Sequence, residues 1–280
     1  MDLRAEPKAG EAPVLGDHHQ QTQLLHGERV HLLEEIGGWA YIEALEQPYY
    51  SSKGWQGYTG WVPLTALAES RSDAPQCVLN EYVTTIYQDF SCTIPLMILP
   101  MGASLDLLGS RRVRLACGNE GWIPFQCVST PTVAFRELLL LRAQAFLDSP
   151  YFWGGCSPHA PHYWGSRCGV DCSGLVHILY RSLNTVVPRD AKDQARRSTS
   201  LSISALQPGD LIFTAPNDEP NKIDHVMLFV SSAQLLEATR QSQSCRYVTW
   251  TQKLGVSYEE LCDGKEPSKL RVSAGTFLAA

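Results

Sequence analysis

The stretch Gly169-Val170-Asp171-Cys172-Ser173-Gly174-Leu175-Val176 places a cysteine at the start of a helix expected to run to about Leu183. A thiolate at that position is stabilised by the positive end of the helix dipole and by free backbone N–H groups, which lower its pKa and raise its reactive fraction. A lone cysteine beside a helix is usually packing, because Cys is among the most buried residue types. The assignment therefore turns on whether the chain supplies a base.

Asp224-His225-Val226-Met227-Leu228-Phe229 puts a histidine at the mouth of an apolar strand, where a rigid element can aim it at a thiol. Twelve residues later Glu237 lies in the next strand-like run, Leu235-Leu236-Glu237-Ala238. If the two strands pair antiparallel, Glu237 faces the imidazole from the side opposite Cys172 and fixes its orientation, the third member's role in a triad.

Outward from this constellation, the pattern predicts a helix from a Thr132 cap to about Asp148, stopped by Ser149-Pro150. Strands are expected at Asp210 to Thr214, His225 to Ser231 and Leu235 to Ala238, with Pro216 to Lys222 a polar loop. Helices first and strands afterwards imply an α+β domain over residues 132–280.

The first half holds a degenerate repeat. Gly27-Glu28-Arg29-Val30-His31-Leu32-Leu33 matches Gly102-Ala103-Ser104-Leu105-Asp106-Leu107-Leu108, and Gly60-Trp61-Val62-Pro63 matches Gly121-Trp122-Ile123-Pro124. The first copy is the longer, and Gln47 to Gln56 reads as its insertion. Alternating apolar residues such as Val30/Leu32 and Val113/Leu115 predict short half-buried strands, hence two small β-barrels over residues 1–70 and 76–130.

The 280 residues carry 44% hydrophobic residues and a formal charge of -6. That length allows two or three compact units. The charge gives no electrostatic reason to bind nucleic acid or anionic lipid, and no run approaches the ~20 apolar residues of a membrane span. A small soluble partner, and a monomer, are expected. Met1-Asp2-Leu3-Arg4 shows no basic-then-apolar leader, so the chain as written reads as cytoplasmic, and as periplasmic or secreted if a leader has been removed. The nine cysteines include no C-x-x-C. Cys156, His159, His162 and Cys168 cluster between Gly155 and Gly169, but Pro158, Pro161 and Trp164 mark that stretch as an inserted loop, an active-site wall or lid, rather than a metal site. No metal and no cofactor are expected.

Five windows in order resemble the NlpC/P60 family of cell-wall cysteine peptidases: Tyr151-Phe152-Trp153-Gly154-Gly155, Asp171 to Val176, Pro188-Arg189-Asp190, Gln207-Pro208-Gly209-Asp210-Leu211-Ile212-Phe213, and His225-Val226. The two β segments resemble bacterial SH3 modules. The resemblance implies a papain-like catalytic domain behind two SH3-like barrels. It further implies hydrolysis of the γ-D-glutamyl–diamino acid bond of peptidoglycan stem peptides with a free N-terminal L-alanine. By it, Cys172 is the nucleophile, His225 the base, Glu237 the orienting residue, and Tyr151 an oxyanion donor together with the Cys172 N–H. Asp171, Ser173 and Tyr58 would bind the substrate amine end, although Asp171 could instead, or as well, be the N-cap of the helix; the acidic companion of Tyr58 is not placed, since Gly16 to Gln23 offers only Asp17. Arg189, beside Asp190, could pair with the D-glutamate α-carboxylate or form an ordinary surface ion pair. The chain departs from the family in carrying Glu237 where His, Asn or Gln is common. A wall-binding protein without activity and an acyltransferase are the competing readings.

Overall fold

The computed structural model describes residues 1–8, 19–69, 76–124, 135–159 and 168–278. Two all-β units come first. The first contains β1 (Asp2–Arg4), β2 (Gln20–Gln23), β3 (Val30–Ile36), β4 (Trp39–Ser51) and β5 (Gly54–Pro63). The second contains β6 (Gln76–Val78), β7 (Val83–Tyr87), β8 (Pro95–Pro100), β9 (Ser104–Leu107), β10 (Arg112–Arg114) and β11 (Glu120–Trp122).

Their strand orders bear on the repeat seen in sequence. The first sheet runs β3-β4-β5-β1-β2, and the second runs β9-β10-β11-β7-β8, with β6 added outside β9. The two chains of pairing are the same, so the matching motifs occupy matching strands. Among the described residues neither sheet closes on itself, and both units are open all-β sheets rather than closed barrels.

The expected half-burial holds in the second unit, where Val113 and Leu115 are buried. It fails in the first, where β3 is an edge strand and Leu32, Leu33 and Ile36 face solvent. The core there is carried instead by Leu3, Ala40, Ile42, Ala44 and Val62. The residues from Gln47 to Gln56 form the outer part of the β4–β5 hairpin, past a bulge between Ala44 and Pro48.

The remaining chain is an α+β unit. It contains α1 (Phe135–Gln144), β12 (Cys156–Ser157), β13 (Gly169–Val170), α2 (Cys172–Ser182), α3 (Ala191–Arg197), β14 (Thr199–Leu201), β15 (Leu211–Pro216), β16 (His225–Phe229), β17 (Gln234–Thr239), β18 (Ser244–Thr249), α4 (Trp250–Leu254), α5 (Tyr258–Cys262) and β19 (Leu270–Thr276). The Thr132 cap lies outside the described residues, and α1 ends four residues before Asp148, in a run of turns.

The six-stranded sheet, ordered β14-β19-β15-β16-β17-β18, is antiparallel throughout. Alternation sends Val226, Leu228, Leu236 and Ala238 to one face, against Leu175, Val176, Ile178 and Leu179 of α2. Met227, Phe229, Leu235 and Val248 go to the other, against Trp250 and Leu254 of α4. Every residue of α2 from Ser173 to Ser182 is buried, so the helix is fixed along its whole length by packing.

Candidate active site

Asp171 starts α2. Its backbone is extended and its Oδ1 accepts from the Gly174 N–H at 2.6 Å, an N-cap that makes Cys172 the first helical residue. As the first helical residue, Cys172 has a backbone N–H with no intrahelical acceptor, available to a ligand oxygen. Gly174 is required by close approach: a Cβ there would lie 2.0 Å from the Gly155 carbonyl oxygen. The helix tip is thus set against the backbone of the Tyr151–Gly155 segment.

His225 is the first residue of β16 and its side chain is 13% exposed. Its Nε2 lies 2.8 Å from Glu237 Oε2. The Cys172 thiol also acts on this ring and raises its pKa; with Nε2 engaged by Glu237, Nδ1 is the ring nitrogen left to serve it. The β16–β17 register pairs Leu228 with Leu236 and Phe229 with Leu235. Continued back, it sets His225 diagonal to Glu237 on one face, within the reach of a long side chain. That face is the α4 side, whereas the body of α2 packs on the other.

Burial alone would lower the pKa of the His225 imidazole, but the bond and charge of Cys172 and the bond of Glu237 outweigh it and raise it to about 9. Burial opposes the charge of Glu237 as well, yet its bonds to His225 and Lys253 bring it down to about 2. The sequence reading missed why this carboxylate tolerates complete burial. Oε1 accepts from Arg246 Nε at 3.2 Å and Nη2 at 3.0 Å, and Oε2 also accepts from Lys253 Nζ at 2.5 Å. Arg246 stands directly opposite Glu237 across β17 and β18. The polar run Arg240 to Gln243 is a hairpin signal from which that pairing could have been counted. Lys253 arrives from α4 by tertiary packing and carries no such signal.

Tyr151 is half-buried beside Cys172. Burial and the nearby charges of Asp171 and Cys172 push its phenol well up, so it stays an O–H donor near the sulfur.

Arg189 departs from its expected place. Its side chain is 1% exposed and reaches no solvent-facing carboxylate site. It binds Asp171 with Nη1 at 3.0 Å and Nη2 at 2.8 Å, and also bonds Ser173 Oγ, Thr22 Oγ1 and the Gly155 carbonyl. The cause is Asp171 itself: a buried carboxylate next to the helix tip needs a planar double donor. Asp171 is in turn saturated, accepting also from Ser173 Oγ and from the Gly154 N–H. The Ser173 hydroxyl is spent on the same network.

Tyr58 and Asp190 do come together, with the phenol oxygen 3.5 Å from both carboxylate oxygens. The partner of Tyr58 is therefore supplied by the α+β unit, and Gly16 to His18 lie outside the described residues. Burial raises the Asp190 pKa against the pull of Arg189 and Lys192. The β4–β5 hairpin holds this end. Pro48 O accepts from the Arg189 N–H at 3.0 Å, Asp193 Oδ2 accepts from the Tyr50 N–H at 3.1 Å, and the Arg196 guanidinium lies 4.0 Å over the Tyr50 ring. Cys156 is buried in β12 and Cys168 is half-buried, while His162 and Trp164 lie outside the described residues.

Residues 148–257 match the family model of the NlpC/P60 family. Over 260 residues the chain is 28% identical to a gamma-D-glutamyl-L-lysine dipeptidyl-peptidase of Bacillus subtilis, covering 88% of this chain and 80% of that protein. A protein of the same name from Bacillus cereus is 25% identical over 243 residues, covering 81% and 70%. The crystal structure of an NlpC/P60 family protein from Bacillus cereus superposes with a TM-score of 0.70 at 23% identity, over 94% of this chain and 83% of that one.

Proposed function

Because this chain carries an NlpC/P60 domain, we propose that it is a cysteine peptidase hydrolysing the γ-D-glutamyl–diamino acid bond of peptidoglycan stem peptides whose N-terminal L-alanine is free. The observation that carries the reading is the continuous line from the Cys172 thiol through the His225 ring to the Glu237 carboxylate, at the tip of a buried helix. The names of the two relatives matched over 80% and 70% of their length support the bond class.

In this reading the Cys172 proton passes to His225 Nδ1 and the sulfur attacks the γ-carbonyl carbon of D-glutamate. The oxygen that gains charge sits between the Cys172 N–H and the Tyr151 hydroxyl. His225 then returns the proton to the departing amine, leaving a thioester. Water, deprotonated by the same imidazole, releases the acid and restores the thiol. Every proton is accounted for among these groups, and no cofactor enters.

At the amine end the Asp171 carboxylate is fully occupied, which leaves Asp190, with the Tyr58 oxygen beside it, as the acceptor for an alkylammonium group. The first β unit, which we read as an SH3-like module, seals that end with its hairpin, and a peptide still joined to glycan would meet it. An intact Cys172–His225 contact favours catalysis over a wall-binding role without activity.

The test is incubation with L-Ala-γ-D-Glu-diaminopimelate and mass spectrometry of the products. Release of L-Ala-γ-D-Glu, abolished in Cys172→Ala and slowed on the order of a hundredfold by N-acetylating the peptide, is expected. Retained cleavage in Cys172→Ala would remove the nucleophile. Equal rates on both peptides would show an open-ended groove.

A further inference from the structure

Glu237 is enclosed on every side by charge. Its side chain is 0% exposed, and it meets His225 from β16, Arg246 from β18 and Lys253 from α4, with the Cys245 thiol within electrostatic range. Cys172 of α2 also acts on the imidazole, and Tyr151 lies within electrostatic range of Cys172. Asp224 precedes His225 in the chain and acts on Lys222.

A buried carboxylate with an imidazole as sole partner would be costly, since desolvation of an ion is recovered only by well-placed opposite charge. The two cations divide that task unequally. Arg246 takes Oε1 with two N–H groups and so fixes the carboxylate plane. Lys253 shares Oε2 with His225 and so draws on the charge that supports the imidazolium. Neither cation is placed by chance. Arg246 is in register with Glu237, and α4 is pinned by a Thr249–Gln252 capping box and by the buried Trp250, whose Nε1 donates to Ser231 O at 3.1 Å.

We propose that Arg246 and Lys253 are positioning residues of the hydrolytic site, Arg246 aiming the Glu237 carboxylate at His225 and Lys253 limiting how strongly that carboxylate holds the imidazolium. The proposal rests on the reading of Cys172 and His225 as the reacting pair. It accounts for how a fully buried carboxylate serves as the orienting group: the two cations offset its charge, so that it is neither stranded nor free to hold the imidazolium at full strength.

The test reads the thiol without any peptide substrate. The rate of Cys172 alkylation by iodoacetamide is followed against pH, with modification at Cys172 quantified by peptide mass so that the other free thiols do not interfere. Lys253 Nζ and His225 Nε2 lie within about 5 Å of each other through the shared oxygen, so Lys253→Met is expected to move the basic limb, that of the imidazolium, upward by roughly 0.5–2 pH units. Lys253→Arg is expected to keep it in place. Glu237→Gln leaves two cations beside the ring and is expected to move the limb downward, and adding Lys253→Met to Glu237→Gln to bring it back towards the wild-type position. Arg246→Met is expected to lower peptide kcat with KM little changed.

A Lys253→Met protein that folds, reacts at Cys172 and keeps the wild-type limb would overturn the proposal, as would a double variant no different from Glu237→Gln. If Cys172 in the wild-type protein reacts no faster than the exposed Cys117 and Cys262, the underlying assignment of the nucleophile fails instead.

Discussion

Replacing Arg189 by Met separates a buried scaffold from a substrate contact. Five hydrogen bonds leave this guanidinium, two of them a bidentate pair on Asp171, whose side chain is only 10% exposed. Met fills a similar volume but leaves Asp171 a buried carboxylate held only by Ser173 and two backbone N–H groups. Breaking such a pair from one side costs about 3–5 kcal/mol, each kcal/mol worth roughly 2–4 °C in midpoint for a protein of this size class. Arg189→Met/Asp171→Asn should recover part of the loss, because the amide oxygen still caps α2 and no charge is stranded. The assay pairs thermal unfolding with kcat/KM on two peptides, one with γ-D-glutamate and one with its α-amide. A scaffold residue lowers both rates together and leaves their ratio within about twofold. A variant of wild-type stability whose preference between the two peptides collapses by on the order of tenfold would refute the buried assignment and return Arg189 to the substrate carboxylate.

Three further outcomes are expected. If Tyr151 is the proposed oxyanion donor, Tyr151→Phe should lower kcat by about a hundred- to a thousandfold with KM nearly constant, the Cys172 N–H remaining; steady-state kinetics decides it. Asp190→Asn should raise KM for the free-amine peptide and narrow its advantage over the N-acetylated one, read from the ratio of the two kcat/KM values. His225 is held at about 9, above its ordinary 6.5, so its contribution to stability is complete below about 6.5 and lost as pH rises through 9. Glu237 is held at about 2, below its ordinary 4.5, so its contribution is complete above about 4.5 and lost as pH falls towards 2. Urea midpoints across pH should therefore show the site's contribution greatest between about 4.5 and 6.5, and His225→Asn should flatten the alkaline side.

What could be read from sequence was local. The cap, thiol and small residue of Asp171-Cys172-Ser173-Gly174 belong to one helix start, and a twelve-residue separation between His225 and Glu237 suits two neighbouring strands, so short-range geometry sufficed. The repeat was legible because its motifs sit on equivalent strands. Arg189 was misplaced because an exposed ion pair and a buried one look alike in sequence; only Thr22, brought from the first unit, and Gly155 show that its surroundings are closed. Lys253 was invisible for the same reason, as nothing local to α4 points to Glu237. The exposed face of β3 defeated the alternation rule because an edge strand need not cover the core that β4 and β5 already fill.

In the proposed reading, the two ends of α2 explain how a small β unit would contribute to a reaction on a helix tip. At the C-terminal end the buried Arg181 reaches Glu46 of the first unit at 2.6 Å, and the Gly102 carbonyl and Ser104 hydroxyl of the second at 2.7 and 3.2 Å. At the N-terminal end, Arg189 links Asp171 to Thr22 of the first unit, and the hairpin meets α3. The first unit is thus tied to α2 at two places about a helix length apart, roughly 16 Å for eleven residues. These two attachments, with the hairpin contact on α3 as a third point, remove rotation as well as translation. Tyr58 is therefore held against Asp190 by the same contacts that fix Cys172, and in the proposed reading the length of substrate between amine and scissile bond would be set by the assembly of units rather than by a loop.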